Sequence, residues 1–440
     1  MSFKALENSP SAVSVSKAQD LEREQPIVEE SETSSIDAYY DSKWSWFVAV
    51  SGAMNYLVIF GSFNAFGLFQ EYYLNTMFVN ESATAISWIS TVSTLATLSI
   101  GIFGGPIVAK VGIRWATISA AIISTVGLLL ASVSTKVWHL LLTQGLIFGA
   151  SGSIIINISL VMPSLWFRKH KNIAIAITSS GSGFGALVIG PIIQTTLEKY
   201  GIHWSFRILA LVNIIGTGFS IVAFVPRPDF KPIRRVIDFH LLSRPLTIFL
   251  CIGGFFAEWA YVIPPFYFPA SVRAIGKSRS ISSQTILVFS AFSGVSRLSS
   301  GHLANRFGPT KVLMIAMMVA GIACLALWLP TKDFVLYYIF FAICGFFSPL
   351  FFPLCPVIVA RSYADKELQM ANGVIYFFYG LSTLIGIPIT GVLLDKVGHR
   401  TSYTPVIILA GILFLLSGVV LIFQYIYCKK RMPSLKDHRI

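Results

Sequence analysis

The sequence predicts an all-α polytopic membrane protein with 12 transmembrane helices, built as two six-helix pseudo-repeats. Three observations carry that expectation. Charged residues are only 12% of the 440 and hydrophobic residues 55%, with a mean hydropathy of +0.72, whereas soluble domains hold about 25% charged residues. Apolar runs long enough to cross a bilayer recur along most of the chain. The two halves also repeat each other at a shift of 196 or 197 residues.

In order, the spans lie at about 44–69, 84–109, 115–134, 138–163, 173–195, 205–226, 245–270, 283–303, 312–330, 334–360, 371–394 and 404–427. Their length suits the roughly 20 residues a helix needs to cross the hydrocarbon. No apolar-out, polar-in alternation supports a barrel. Residues 1–43 are Ser- and Glu-rich, lack the apolar core of a signal peptide, and read as a disordered cytosolic N-tail. Residues 44–226 then form an N-terminal six-helix bundle, 227–244 a cytosolic linker, 245–427 a C-terminal six-helix bundle and 428–440 a cytosolic C-tail.

Orientation follows from the basic residues. The inner loops and C-tail hold 19 Lys and Arg and the outer loops nine, which places both termini in the cytosol. The plasma membrane is the expected location. The net charge of +13 sits in short loops beside apolar spans, so it points to the lipid bilayer and not to nucleic acid. The sequon Asn80-Glu81-Ser82 falls in the first outer loop, where glycosylation is expected, while Asn157-Ile158-Ser159 matches the same pattern inside a span. Five cysteines, Cys251, Cys324, Cys344, Cys355 and Cys428, lie in or beside apolar runs without metal-ligand spacing, so neither a metal nor a cofactor is expected.

The repeat is clearest in two basic turns. Gly105, Lys110 and Gly112 line up with Gly301, Arg306 and Gly308, and each turn ends on a cation, Arg114 or Lys311. The glycines let a neighbouring helix come close, and the cations sit near helix C-termini. Parallel repeats of this kind are how alternating-access transporters place a substrate site between two halves.

Two charges stand deep inside the spans. Moving a guanidinium into hydrocarbon costs at least roughly 2.5 to 3.5 kcal/mol, so Arg297 must face a partner or a water-filled cavity, or else snorkel. Snorkelling is open to it because it lies about six residues, roughly 9 Å, from the expected inner end of its span. Its small neighbours Ser293, Gly294, Ser296, Ser299 and Ser300 suit a polar cavity wall. Glu258 is about thirteen residues, or roughly 20 Å, from the inner end of the seventh span, near mid-bilayer. A carboxyl there carries a proton or takes a cationic partner, and either suits a proton site; the alternative is a neutral Glu hydrogen-bonded between helices. Pro264 and Pro265 predict a bend beside it. Tyr56, Asn64 and Asn157 are polar residues in other spans, where interhelical bonding and ligand contact are both open. An enzyme is not expected, because all seven His fall at span ends or in loops, and ATP-driven transport is not expected, because no P-loop is present.

The paired turns resemble the cytoplasmic signature of the major facilitator superfamily, Gly-x-x-x-Asp-Arg-x-Gly-x-[Arg/Lys]. Ala109 and Asn305 stand at the Asp position, and Lys110 replaces Arg in the first copy. Two further stretches are similar to the monocarboxylate-porter family, especially its fungal branch. One is Asp41, Trp44 and Trp46 before the first span; the other is Trp166 and Phe167 with Lys169, Lys171 and the small-residue fifth helix holding Gly181 and Gly185. The resemblance implies two bundles around a central cavity lined by helices one, four, seven, eight and ten. It also implies an Arg in the eighth helix that binds a carboxylate, an Asp four residues before it, and a Lys in the first helix for proton coupling.

Arg297 matches that Arg, while Ser293 stands at the Asp position and Phe63 at the Lys position. Substrate binding is therefore expected of Arg297, Tyr56, Asn64, Asn157 and Ser293, and proton coupling of Glu258. The inner gate is expected at Gly105, Lys110, Gly112, Arg114, Gly301, Asn305, Arg306 and Gly308. The implied function is secondary active or facilitative transport of a small organic anion, monocarboxylate-like, or a related metabolite by alternating access, with protons as a second partner. The alternatives are efflux of a secondary metabolite on the same fold, or a membrane nutrient receptor that does not transport.

Overall fold

The computed structural model describes residues 40–225, 239–330, 333–399 and 402–431. The expected N-tail up to residue 39, the linker up to residue 238 and the C-tail from residue 432 lie outside the described residues. Among the described residues, ten helical segments are long and apolar enough to cross a membrane. They comprise α1 (Lys43–Gln70), α2 (Ala85–Val111), α3 (Ile113–Ala131), α4 (Val137–Trp166), one segment Lys171–Ala223, α7 (Pro245–Ala274), α9 (Pro309–Trp328), α10 (Phe334–Ser362), α11 (Asp365–Lys396) and α12 (Thr404–Lys430).

The 53-residue segment Lys171–Ala223 breaks at Gly201, whose φ of 76° leaves the helical region, and so divides into α5 (171–200) and α6 (202–223). The twelfth helix is α8 (Arg279–Phe307), 29 residues long, whose many serines lower its hydropathy below that of its neighbours. The fold is thus the expected twelve helices.

Two sequence expectations about boundaries are corrected. The fifth and sixth spans meet at a single glycine and not across a loop. The eighth span runs to Phe307 and not to 303, so Arg297 lies ten residues, or about 15 Å, from that end. That depth removes the easy route for snorkelling.

Local chemistry sets the helix ends. Ser42 and Ser45 bond reciprocally at the start of α1, the Ser42 hydroxyl accepting from the Ser45 amide at 3.3 Å and the Ser45 hydroxyl from the Ser42 amide at 3.2 Å. Ser82 accepts from the Ala85 amide at 3.1 Å before α2, and Asp333 from the Val335 amide at 2.7 Å before α10. Gly112 and Gly308 turn α2 into α3 and α8 into α9 with φ of 84° and 91°, which is why each repeat needs glycine there.

The end of the bundle carrying the Gly112 and Gly308 turns is called the motif end, and the opposite one the Asn80 end. Within the first half, α5 lies directly on α1: a side chain at Gly181 would strike the Ala53 carbonyl, and one at Gly185 would meet Leu57 O at 2.6 Å. Between the halves, α5 meets α8 at Gly183 and Gly294, and again where Gly301 faces the Asn172 carbonyl. On the other side α2 meets α11, with Gly373 against Ile102 and Gly380 against Ser99. These cross-half contacts all fall between the middle of the helices and the motif end. The two halves are closed there.

Candidate functional site

A central cavity lies between the halves. Its polar groups come from both of them: Asn64, Thr94, Thr97 and Ser182 from the first half, Glu258 and Arg297 from the second. Phe60 and Phe63 of α1 face Tyr261 and Phe352 across it as aromatic walls. Asn64, solvent-exposed near the Asn80 end of α1, forms part of the lining.

Arg297 is 3% exposed and held from three sides. Its Nε donates to Ser293 Oγ at 3.3 Å, one Nη to Ser179 Oγ at 3.4 Å, and its guanidinium lies 4.3 Å from the centre of the Phe352 ring. Both hydrogen bonds are long and end on neutral hydroxyls, so the charge is oriented without being neutralised. Glu258, also 3% exposed, accepts from Thr383 Oγ1 at 3.4 Å through Oε1, while its Oε2 has no hydrogen-bond partner among the described residues. Glu258, Tyr261 and Arg297 lie within electrostatic reach of one another. No ion pair joins Glu258 to Arg297.

The other expected binding residues are placed differently. Asn64 lines the cavity and its amide donates to the Ser182 carbonyl at 3.4 Å. Ser293 lies behind Arg297 as its acceptor. Tyr56 is fully buried on the motif side of the cavity, with its ring 5.4 Å from that of Phe60. Asn157 lies lower still, donating to the Gln369 carbonyl at 3.4 Å across the two halves. Thr94, Thr97, Ser179, Ser182 and Thr383 were not singled out from the sequence. The signal available was helical spacing: Thr94 with Thr97, and Ser179 with Ser182, each put two hydroxyls on one face.

At the motif end, the expected gate turns differ between repeats. Lys110, Gly112 and Arg114 are exposed and Gly105 is buried in α2. In the second repeat Asn305 accepts from Asn172 on α5 and from Arg361 on α10, the latter at 3.4 Å. Arg361 also donates to Asn172 Oδ1 at 3.4 Å, so the three side chains close one triangle across the halves. Arg306 is exposed beside them, its guanidinium 5.3 Å from the Phe307 ring. Lys171 approaches Asp365 at 4.0 Å, and Arg244 grips Glu367 with two bonds of 2.9 and 3.0 Å.

The two short stretches singled out before α1 and between α4 and α5 meet in space. Asp41 accepts from the amides of Arg168, Lys169 and His170 at 3.2, 3.0 and 3.1 Å, capping the turn between α4 and α5. Partial burial pushes the Asp41 carboxyl up, but these three amides and the nearby His170 outweigh it and hold it below the usual carboxylate range. Trp46 packs edge-on to Phe167 at 4.9 Å, while Trp44 remains exposed beside Phe47. Asn80 is exposed in the turn before α2.

Twelve membrane-crossing helices in two repeated halves, closed at one end around a central cavity that holds Arg297 and Glu258, define a membrane transporter of the alternating-access class. The Major Facilitator Superfamily profile matches residues 47–273 and 250–437, and the chain belongs to that superfamily. It is an integral multi-pass transporter and not an enzyme. It is 27% identical over 394 residues to the MFS transporter asaE of Aspergillus flavus, covering 87% of this chain and 89% of that one. It is 26% identical to the agnestins efflux protein AgnL12 of Paecilomyces divaricatus, over 82% of this chain and 86% of the relative. Among solved structures it resembles the proton:xylose symporter XylE with a TM-score of 0.70 at 14% identity, over 90% of this chain and 97% of that one.

Proposed function

We propose that this transporter carries a small organic acid with an aromatic or apolar body, together with a proton, in the manner of the monocarboxylate-porter family. The observation that carries the reading is that Arg297 and Glu258 line one cavity without pairing. Arginine is the side chain that stays charged at any working pH. An ionised Glu258 would offset that charge and compete with an incoming carboxylate. Once protonated, Glu258 leaves Arg297 free to hold the anion, so proton and anion enter together. Phe60, Phe63, Tyr261 and Phe352 supply the apolar surface for the rest of the molecule.

Such a carrier runs in whichever direction the combined gradients favour. Relatives named as efflux proteins, for agnestins and for aspyridones, support export of an acid the cell makes. The motif end is then cytosolic and the plasma membrane the site of action.

The test is uptake of labelled carboxylates into proteoliposomes, with and without an imposed pH gradient. Acid outside should drive accumulation. Glu258→Gln should lose that accumulation and keep exchange. Arg297→Lys should weaken apparent affinity about tenfold, since a charge-assisted hydrogen bond contributes about 1.5 to 3 kcal/mol. Uptake indifferent to pH and to both substitutions would refute the proposal.

A further inference from the structure

Below the cavity lies a layer of tyrosines that the proposed site does not use. Tyr56 on α1 and Tyr376 and Tyr379 on α11 are 0%, 4% and 0% exposed, and none of their hydroxyls has a hydrogen-bond partner among the described residues. Buried hydroxyls are normally paired, because losing water without replacement is costly. Three unpaired in one place leave room for a ligand that supplies the missing partners.

The three belong together. The rings of Tyr376 and Tyr379 are 5.1 Å apart. The Tyr56 and Tyr376 side chains lie within electrostatic reach of each other and of Arg297, and Tyr379 within reach of the Cys355 thiol, in neither case meeting hydrogen-bond geometry. Phe352, which lines the cavity, touches both sites, its ring 4.3 Å from the Arg297 guanidinium and 6.2 Å from the Tyr379 ring. Tyr56 comes from the first half and the other two from the second, so the layer lies on the seam that must part when the motif end opens.

We infer that Tyr56, Tyr376 and Tyr379 form a second subsite, which binds hydroxyl or carbonyl oxygens on the body of the cargo while Arg297 holds its carboxylate. A phenol both donates and accepts, so each hydroxyl can take either kind of oxygen. The layer thereby selects oxygen-bearing acids over bare hydrocarbon acids. This rests on the organic-acid reading above, and the experiment separates the two.

Full-length protein in proteoliposomes is assayed with benzoate and with each of the three hydroxybenzoate isomers, which differ from benzoate by one hydroxyl. Wild type should favour at least one isomer over benzoate. Tyr376→Phe, at the centre of the layer, should lower the apparent affinity for that isomer about five- to tenfold and leave benzoate within about twofold. Tyr56→Phe and Tyr379→Phe should act in the same direction. If all three variants shift every probe equally, or shift none, the hydroxyls only hold helices together and the subsite is refuted. Arg297→Lys should weaken benzoate and the hydroxybenzoates alike; if it does not, the anion reading fails while the tyrosine ratios still stand on their own. Wild type that takes neither kind of probe overturns both.

Discussion

Gly183→Ala tests the conformational cycle at a point where the backbones of the two halves meet. A Cβ at Gly183 would lie 2.5 Å from Gly294 Cα and 2.8 Å from the Ser293 carbonyl carbon, against 3.4 Å or more for ordinary contact. Both neighbours are backbone, so no side chain can rotate away, and the seam must open by about 1 Å. Overpacking of this kind costs about 1 to 3 kcal/mol. Because the clash exists only while the motif end is closed, the whole penalty falls on one state, which corresponds to roughly a 5- to 150-fold shift toward the other. Gly190→Ala is the control, since nothing lies within 4 Å of a Cβ there. Spin labels at Lys169 and Lys366, both exposed and on opposite halves, report separation at the motif end. The longer-distance population should rise strongly in Gly183→Ala and stay unchanged in Gly190→Ala. Equal distance distributions in the two variants would show that the seam does not part at Gly183.

Three further outcomes are expected. Asn305→Asp should place a carboxylate against Arg361, tighten the closed motif end and reduce the longer-distance population in the same spin-label measurement; a looser end would refute that geometry. Asp41→Asn should cost about 1 kcal/mol of thermal stability at neutral pH, because bonds from the three amides to a charged acceptor contribute more than bonds to a neutral one. Because the folded Asp41 titrates below its unfolded value, its contribution is complete above the ordinary carboxylate range. It is lost as pH falls through the lowered value, so the gap between variant and wild type should close only in strong acid; a gap that closes near neutrality would assign the effect elsewhere. Reporter tags near residues 200 and 400 should read outside and those near 170 and 235 inside, and Asn80→Gln should abolish the mass lost on treatment with an N-glycan-removing enzyme; a tag near 235 found outside would invert the topology.

The helices were legible because hydropathy and glycine position report on them directly. Gly112 and Gly308 stand in matching turns, and each takes a positive φ. The eighth span was read too short because serines and Arg297 interrupt its hydropathy, yet those residues face the protein and not lipid. Arg297 and Glu258 were legible as site candidates because a charge in hydrocarbon is costly enough to need a reason. Depth was not. On α1 the cavity takes Phe60, Phe63 and Asn64. Tyr56 is four residues before Phe60 on the same stripe, just over one turn, or about 6 Å, closer to the motif end. Helical spacing gives the face but leaves the level along the axis to packing between the halves, which no local pattern records. Thr94, Thr97 and Ser182 stayed hidden for a related reason: hydroxyls in such helices commonly bond their own backbone, as Thr94 does to the Ser90 carbonyl at 2.8 Å.

The departure at Ser293 ties these observations together. In the resembling family an acidic residue precedes the arginine by four positions, one helical turn away on the same face. A carboxylate there would form a charge-assisted pair with Arg297 on its own helix and offset it locally. Ser293 supplies only a neutral acceptor at 3.3 Å, so the guanidinium is oriented while its charge stays directed at the cavity. The acidic group of the cavity stands instead on α7, as Glu258, tethered by Thr383 of α11. Moving the carboxylate to another helix makes its distance from Arg297 depend on how α7 and α8 pack, whereas within one helix that distance would be nearly constant. In the proposed cycle, a rearrangement of the second half can then change how strongly Glu258 competes for Arg297. Proton release and anion release become linked to the same motion that opens the motif end.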